Sequence, residues 1–449
     1  MPGESKARSA LSRSRVDTTR ASAGPGWRAY LRALGPGLVT GASDDDPSGI
    51  ATYAQAGAQF GFAMLWVSLL TLPLMAAVQE ICDRTALATG KGLGELALRR
   101  FPRGRVVIAV LIGALLLANV LNITADVVAV GEGMNLLHAG PVAIWSFIAG
   151  GAITVLIVLG SFAMVARVFK LLCAALLAYV GVMFVTHADW GSVASNTLIP
   201  HVEFSQEYIL LLVAVLGTTI SPYLFFWQSA HRIEELRDEP QGGDEPVPLK
   251  RLSRRTAKHK QRTSRADVFT GMAFSNLVMF AIIVATAATL GAHGTKTIDS
   301  AAQAAQALRP IAGNLAEVLF ALGFIGSGML AIPVLAGSGS VGMAGLLHKE
   351  WGFSRSVRDA PVFYGLLGLG TIGGTALTLV GVNPVKLLIY VALINGIIAA
   401  PFLILVMMIA HDRRIMGEHL NGRLALTLGW FTTALMALAA LAYFAVTYL

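Results

Sequence analysis

The chain of 449 residues is 55% hydrophobic and only 13% charged, whereas a soluble domain carries about 25% charged residues. This composition excludes an ordinary soluble enzyme and predicts an all-α polytopic membrane protein. The net charge of +8 would suit a nucleic-acid binder, but the positions of the basic residues favour a topological role. Cys82 and Cys173 lie in or near apolar runs, which indicates buried small hydrophobes rather than a disulfide or a metal pair.

Residues 1–32 are basic and serine-rich and lack the apolar core of a signal peptide, so we expect a disordered cytosolic tail. Residues 33–449 are expected to form one transmembrane domain. A crossing needs about 20 apolar residues, and this length predicts eleven spans, near residues 35–57, 61–83, 106–137, 142–161, 163–187, 208–232, 266–291, 315–347, 357–381, 385–411 and 424–448.

The basic residues agree with this number of crossings. If the N-terminus is cytoplasmic, all but three of the 34 Lys and Arg residues fall on the inner side, as the positive-inside rule requires. The exceptions are Lys296, Arg309 and Lys386. The basic stretch 237–265 is then predicted to be a cytosolic loop that sets the topology, and not a nucleic-acid site.

The most unusual segment is 43–49 (SDDDPSG), which interrupts the first apolar stretch. Carboxylates at membrane depth are costly and mark functional sites. Pro47 disfavours helical geometry at Asp46, and Gly49 can adopt backbone angles closed to other residues. A surface loop before a helix at Ile50 is the alternative, but it would leave one basic cluster outside. We therefore expect a broken helix whose freed carbonyl groups surround Asp46 in a cation site.

A second apolar segment broken by proline lies at 217–223 (GTTISPY) in the sixth span. Each break opens a set of five spans, 35–187 and 208–411, and an odd number of crossings gives the two sets opposite orientations. Paired interrupted helices indicate an inverted-repeat transporter with its site at the membrane midplane. The helix at 424–448 is an extra. Thr218 and Ser221 would offer oxygens to the site, although such hydroxyls often bond their own backbone.

Further polar residues are predicted around this site. Successive helical residues diverge by about 100°, so we expect one of Asp44 and Asp45 to line a vestibule or widen the site and the other to be structural. Asp126 interrupts an apolar run in the third span and should face the interior or a water-filled path. The remaining candidates come from the second half of the sixth span and from the tenth: Tyr223, Gln228 and Asn395.

Other conspicuous residues have plainer interpretations. Glu80 and Arg84 have the i,i+4 spacing of a salt bridge, and indicate a gate or a structural pair at the inner end of the second span. His231, His259 and His293, like the histidine at 348, fall in loops or at span ends, so they do not predict a soft-metal site. The glycines of the eighth span are positions of close helix packing.

At these residues the chain resembles the NRAMP family of divalent metal transporters, over about residues 30–448. Three segments carry the resemblance: GPGLVTGASDDDPSGIATYAQAGAQFG, WVSLLTLPLMAAVQEICDRTALATGKGL and GTTISPYLFFWQSA. The resemblance implies the leucine-transporter (LeuT) fold, with metal held between the unwound parts of spans one and six. The predicted ligand set is Asp46, Ser48, Gly49, Thr218, Ser221 and Asp45.

The departures from the family pattern bear on the transported ion. Gly49 stands where the family has a ligand asparagine, and Ser221 stands where it has a methionine whose thioether favours transition metals. Tyr223 and Gln228 replace two histidines. Oxygen without sulfur favours a hard ion, and Mg²⁺ retains several of its waters. The pattern resembles the NRAMP-related magnesium transporter branch.

In the third span Asp126 matches a family carboxylate used in proton coupling, while Ala129 occupies the usual glutamate position. We therefore expect Mg²⁺ and Mn²⁺ uptake that is not coupled to protons. The alternatives are proton-coupled Mn²⁺/Fe²⁺ import, a metal-sensing transceptor, and a LeuT-fold carrier of an organic solute. The expectation includes no enzymatic activity and no cofactor. The expected partners are the cation and the lipid bilayer of a bacterial inner membrane, with the protein a monomer that binds no nucleic acid.

Overall fold

The computed structural model describes residues 36–159, 176–186, 188–239, 245–380 and 383–448. The predicted tail at 1–32, most of the fifth span and Cys173 lie outside these ranges. Within them the regular structure is helical, and the α-helices are α1 (Pro36–Asp44), α2 (Pro47–Phe60), α3 (Leu65–Thr89), α4 (Leu93–Arg100), α5 (Arg105–Leu136), α6 (Val142–Leu159), α7 (Leu177–Val185), α8 (Trp190–Leu198), α9 (Gln206–Thr219), α10 (Pro222–Asp238), α11 (Arg254–Thr289), α12 (Ala301–Ala305), α13 (Arg309–Ala312), α14 (Ala316–Leu346), α15 (Pro361–Leu377), α16 (Pro384–His411), α17 (Arg413–Met416) and α18 (Arg423–Tyr448).

The prediction of an all-α membrane protein is confirmed. Seven helical stretches of the described ranges are long and apolar enough to cross a membrane, and two shorter apolar helices, α6 and α15, accompany them. Each of the eleven predicted spans contains a helix in these ranges, although the fifth is represented only by α7. Cys82, the cysteine that the structure describes, is buried and free, as expected.

Two helices break as predicted, and both breaks have the same local design. Asp46 caps α2 with extended backbone angles (φ −69°, ψ 169°), and Pro47 is its first residue. Ser221 precedes α10 with φ −84° and ψ 136°, and Pro222 is the first residue there. Proline fits the first turn because no helical N–H is needed at that position. The sequence therefore determines both the end of one half-helix and the start of the next.

The half-helices that lead into the breaks are packed unusually close to their neighbours. A Cβ atom at Gly41 of α1 would lie 2.2 Å from the carbonyl oxygen of Gly271 in α11. A Cβ atom at Gly217 of α9 would lie 2.2 Å from the carbonyl oxygen of Ala392 in α16. Only glycine permits such contact between backbones, as in other membrane helix interfaces. The positions of both breaks are thereby set by backbone contacts.

The structure corrects the prediction that the whole stretch 237–265 is a loop. Both flanking helices extend into this stretch. Helix α10 continues to Asp238, and α11 begins at Arg254, so residues 254–265 are helical. Ser253 caps α11 by accepting a hydrogen bond from Thr256 N at 3.2 Å. The polar composition suggested a loop, but the stretch from 254 to 265 contains neither glycine nor proline and its first turn is capped.

Candidate metal centre at the two helix breaks

Asp46 lies at the centre of the first break, with its side chain 1% exposed. One carboxylate oxygen, Oδ1, accepts hydrogen bonds from the Ser48 hydroxyl at 2.6 Å and from Gly49 N at 2.8 Å. Both donors belong to the first turn of α2, whose free N–H groups favour an anion. The helix start therefore holds the carboxylate in one orientation and leaves its other oxygen directed elsewhere.

That other oxygen, Oδ2, faces the second break. The Tyr223 hydroxyl donates to Asp46 Oδ2 at 3.2 Å, and it lies 3.4 Å from the carbonyl oxygen of Ser43. Tyr223 is in the first turn of α10 and is fully buried. The two breaks, 177 residues apart in sequence, are thus in direct contact through these side chains.

Gly49 is not among the described residues with a positive φ. Gly49 therefore does not use the backbone angles that only glycine readily adopts. A glycine at this position matters for the space it leaves and not for its backbone angles. A Cβ atom at this position would lie 3.1 Å from Thr218 Oγ1, 3.3 Å from the Asp44 carbonyl oxygen and 3.3 Å from the Tyr53 ring. The space above Gly49 is consequently narrow, and two of its three nearest neighbours are oxygen atoms.

Ser221 lies at the second break and is fully buried. Its hydroxyl donates to the carbonyl oxygens of Gly217 at 2.5 Å and Thr218 at 3.0 Å. The backbone-bonded alternative considered for such hydroxyls therefore describes Ser221 in this structure. The hydroxyl oxygen of Ser221 nevertheless lies just after the end of α9, where the helix leaves carbonyl groups without helical partners.

Asp44 and Asp45 meet at one hydroxyl group. Ser275 Oγ of α11 lies 2.5 Å from Asp44 Oδ2 and 3.2 Å from Asp45 Oδ1. The sequence predicted different roles for the two side chains, and it did not predict their convergence on one hydroxyl group. This convergence arises because α1 ends at Asp44, so Asp45 no longer follows helical spacing. The polar pair Ser275-Asn276 inside the seventh apolar span was the available sequence signal.

Asp126 of α5 is fully buried, and no described residue donates a hydrogen bond to either of its carboxylate oxygens. A Cβ atom at Gly328 of α14 would lie 3.1 Å from the Asp126 carbonyl oxygen and 3.4 Å from Pro47 Cγ. The third span therefore approaches the first break.

The structure places two further candidates away from Asp46. Asn395 of α16 pairs with Asn122 of α5 through two amide hydrogen bonds of 3.3 Å. The Gln228 side chain accepts from the Thr40 hydroxyl at 2.5 Å and donates to Asp83 Oδ1 at 2.7 Å. Gln228 thus belongs to a second polar cluster, separate from the contacts of Asp46, which the sequence did not predict.

This second cluster is centred on Arg232 of α10. Its guanidinium bonds Asp83 Oδ1 of α3 at 2.6 Å and Asp267 Oδ2 of α11 at 3.3 Å. Asp267 also accepts from the backbone N of Gly37 at 2.8 Å and of Leu38 at 3.2 Å. The start of α1 is therefore tied to three other helices, because its free N–H groups need acceptors.

The predicted pair Glu80–Arg84 is present at 2.9 Å. Arg265 of α11 joins it, with a distance of 2.8 Å to the same Glu80 oxygen. The pair therefore links α3 to α11 and lies outside the site at the breaks.

The donor set at the breaks is rich in oxygen but holds few charges. Within the described ranges, no three His, Cys, Asp or Glu side chains come close enough together to hold an ion by themselves. A cation at Asp46 would complete its shell with hydroxyl, carbonyl and water oxygens, the ligands that hard ions prefer. Such a shell suits an ion that binds and leaves again.

The sequence of this chain is similar to those of known membrane transporters. The sequence model of one family, described as "Natural resistance-associated macrophage protein-like" (Nramp), matches residues 37–446. The chain is 26% identical over 428 residues to the "Divalent metal cation transporter MntH" of Ralstonia nicotianae, covering 92% of this chain and 91% of that protein. The protein of the same name from Deinococcus radiodurans is 26% identical, with coverages of 92% and 89%. These relatives are transporters and not enzymes.

Solved structures share the fold. A manganese transporter from Eremococcus coleocola superposes with a TM-score of 0.75 at 16% identity, covering 92% of this chain and 86% of that one. Mhp1, a nucleobase-cation-symport-1 family transporter in a closed conformation, gives a TM-score of 0.55 at 13% identity, with coverages of 92% and 90%. The LeuT-type transporter fold that the family resemblance implies is thereby confirmed. Since the family model spans nearly the whole described chain, this protein belongs to the Nramp family.

Proposed function

We propose that this protein carries divalent metal cations across the membrane, with Mg²⁺ and Mn²⁺ as its preferred ions and without coupled protons. The observation that carries the proposal is the contact between Asp46 and Tyr223, which joins the two helix breaks at one buried carboxylate. Paired breaks at the midplane are the arrangement in which transporters of this fold hold their substrates.

The preference for a hard ion is supported by the atoms around Asp46. The neighbours that the structure gives for this carboxylate are the Ser48 and Tyr223 hydroxyls and the Gly49 N–H. Ser221 supplies oxygen at the position where the family pattern has the sulfur of methionine. Hard oxygen ligands suit Mg²⁺ and Mn²⁺, while a thioether favours softer metals.

The proposal of uncoupled transport is supported by the replaced titratable groups. Histidine is the side chain whose ordinary titration falls near neutral pH, and the two histidine positions of the family's sixth span hold Tyr223 and Gln228. Both of these side chains are engaged in hydrogen bonds. The driving force for uptake would then be the ion gradient and the membrane potential.

One observation favours proton-coupled Mn²⁺/Fe²⁺ import as the second candidate. Asp126 is buried, its backbone approaches Pro47 across Gly328, and its carboxylate receives no hydrogen bond from the described residues. A carboxylate in that setting is suited to taking up a proton when the neighbouring charge changes. The transceptor and the organic-solute carrier have no comparable support. We further propose that the protein functions as a monomer in a bacterial inner membrane.

The deciding experiment is uptake into liposomes that contain both a metal-sensitive and a pH-sensitive dye. Mg²⁺ and Mn²⁺ are added separately to wild type, Asp46→Ala and a matched control, Asp189→Ala, whose carboxylate is exposed and remote in sequence. We expect both ions to enter through wild type and the control without acidification, and neither to enter through Asp46→Ala. Acidification in proportion to metal uptake would establish the proton-coupled alternative instead.

A further inference from the structure

The first three turns of α11 form a basic surface that the proposed function does not use. Five of their basic residues have exposed side chains. Together they form what we call the basic stripe: Arg254, Arg255, Lys258, Arg262 and Arg265. The sequence predicted a loop here, so the helical arrangement of these charges is new information.

Helix geometry places the basic stripe on one side of α11. At about 100° per residue, its five members fall within an arc of about 100°. Phe269, one turn further along the helix, points in the same direction and is 54% exposed. An exposed phenylalanine in the apolar part of a membrane helix faces lipid. The basic stripe is therefore the continuation of the lipid-facing side of α11.

The opposite side of this helical extension is fixed to the protein. Ala257 packs in a small apolar cluster with Leu87 of α3, Leu236 of α10 and Leu249. Ser264, on the same side, donates a hydrogen bond to Asp83. The extension is thus anchored along its inner side and presents the basic stripe outward on a rigid support.

Most of these cations have no acidic partner among the described residues. Arg265 bonds Glu80, and Lys260, which lies outside the basic stripe, bonds Glu239. The described carboxylates form no ion pair with Arg254, Arg255, Lys258 or Arg262. Within the part of the chain that the structure describes, four positive charges are thus without an acidic partner.

The axial position of the basic stripe matches the membrane surface. Residues 266–289 span about 36 Å at 1.5 Å per residue, slightly more than the hydrocarbon thickness of about 30 Å. Arg265 and Arg262 lie just before this apolar part, Lys258 lies about 12 Å from it, and Arg255 and Arg254 lie about 17–18 Å from it. The long side chains of Arg265, Arg262 and Lys258 can reach the headgroup layer, which extends about 5–8 Å beyond the hydrocarbon, and Arg255 and Arg254 extend the positive field of the basic stripe away from it.

We propose that the basic stripe binds the headgroup phosphates of anionic lipids in the cytoplasmic leaflet. The lipid-facing direction, the rigid support and the unpaired charges together select this partner. A soluble anionic partner would meet Arg262 and Arg265 only at the membrane edge, beside the exposed Phe269. Clusters of four to eight basic residues next to a membrane helix are typical of such lipid contacts.

Native mass spectrometry of the full chain in detergent tests this proposal. The protein is equilibrated with an equal mixture of phosphatidylglycerol and phosphatidylcholine of the same acyl chains. The test variant combines Arg254→Gln, Arg255→Gln, Lys258→Gln and Arg262→Gln. Each cation near the membrane surface contributes about a fivefold preference for anionic lipid, so we expect the preference for phosphatidylglycerol to fall at least about tenfold.

Two controls separate the basic stripe from general charge and folding effects. The charge control combines Lys349→Gln, Arg358→Gln, Arg413→Gln and Arg423→Gln, which are exposed residues on the same predicted side but scattered over several helices, and it should lose clearly less of the preference than the test variant. A third variant combines Arg254→Lys, Arg255→Lys and Arg262→Lys. It keeps the positive charge and should keep the preference for phosphatidylglycerol. Equal binding of both lipids by wild type, or equal losses in the test and charge-control variants, would overturn the proposal. Stronger displacement of phosphatidylglycerol by single-stranded RNA than by added lipid would assign the surface to a soluble partner instead.

Discussion

The Tyr223 hydroxyl lies 3.2 Å from Asp46 Oδ2 and so connects the two interrupted helices across a distance of 177 residues in sequence. Asp46 caps the half-helix that begins at Pro47, Tyr223 lies in the first turn of the half-helix that begins at Pro222, and both are buried. The carboxylate is consequently held from both repeats, by α2 through Ser48 and Gly49 and by α10 through Tyr223. A movement of either half-helix must change the environment of Asp46.

Tyr223→Phe should weaken metal binding without abolishing transport. The substitution removes a hydrogen bond to a carboxylate, an interaction that contributes about 1.5–3 kcal/mol, so Asp46 is held less firmly. We expect KM for Mg²⁺ in liposome uptake to rise about tenfold, which corresponds to about 1.4 kcal/mol. Tyr179→Phe is the matched control, because the buried Tyr179 hydroxyl makes no hydrogen bond with the described residues. An unchanged KM in Tyr223→Phe would remove this tyrosine from the site.

Ser221→Met should shift selectivity from Mg²⁺ toward Mn²⁺ and Cd²⁺. The new thioether would place a soft ligand at the end of α9. We expect the ratio of kcat/KM for Mg²⁺ to that for Cd²⁺ to fall about tenfold or more, or about 1.4 kcal/mol. Ser221→Ala removes the same hydroxyl without adding sulfur and should leave the ratio near that of wild type. If both variants gave the wild-type ratio, the hardness argument for Ser221 would fail.

Gly49→Ala should reduce uptake through crowding. The added methyl would lie 3.1 Å from Thr218 Oγ1 and 3.3 Å from the Asp44 carbonyl oxygen, and such overpacking costs about 1–3 kcal/mol. We expect slower Mg²⁺ uptake by protein that still elutes as a single species. Gly113→Ala in α5 is the control, because a Cβ atom there meets nothing within 4 Å. Equal uptake by the two variants would show that the gap over Gly49 is not part of the ion path.

Asp83→Ala should destabilise the protein strongly. Asp83 accepts bonds from Arg232, Gln228 and Ser264, and breaking a buried ion pair on one side costs about 3–5 kcal/mol. We expect a clear drop in the apparent Tm of the protein in detergent. Glu95→Ala is the comparison, because Glu95 pairs with the partly exposed Lys91 and Arg99, and such pairs contribute about 0–1 kcal/mol. Similar Tm values for the two variants would show that the Arg232 cluster does not hold the helices together.

Much of the architecture could be predicted from the sequence because it depends on local properties. Apolar length and the distribution of basic residues predicted the helices that cross the membrane, and Pro47 and Pro222 predicted where two of them break. The extension of α11 was missed because polar composition does not distinguish a loop from a solvent-exposed helix. Its helical state depends on the Ser253 cap and on the packing of Ala257.

The partners of the buried charges could not be predicted in this way. Ser275 is 231 residues from Asp44, and Asp267 is 230 residues from Gly37. No spacing rule connects residues so far apart, since their contact exists only when α1 packs on α11. The close approach of Gly41 to Gly271 makes that packing possible, but each glycine alone has many possible neighbours.

By itself, the sequence determined that a carboxylate, Asp46, lies in a proline-broken membrane helix with a second broken helix in the other repeat. This follows from hydrophobic length, proline geometry and charge distribution, which act on neighbouring residues in the chain. Only the tertiary structure decided that Tyr223 meets Asp46, that Asp44 and Asp45 share Ser275, and that Gly49 lies against Thr218. Those contacts depend on how the helices pack, because an isolated buried carboxylate acquires its hydrogen-bond donors from whichever helix lies beside it.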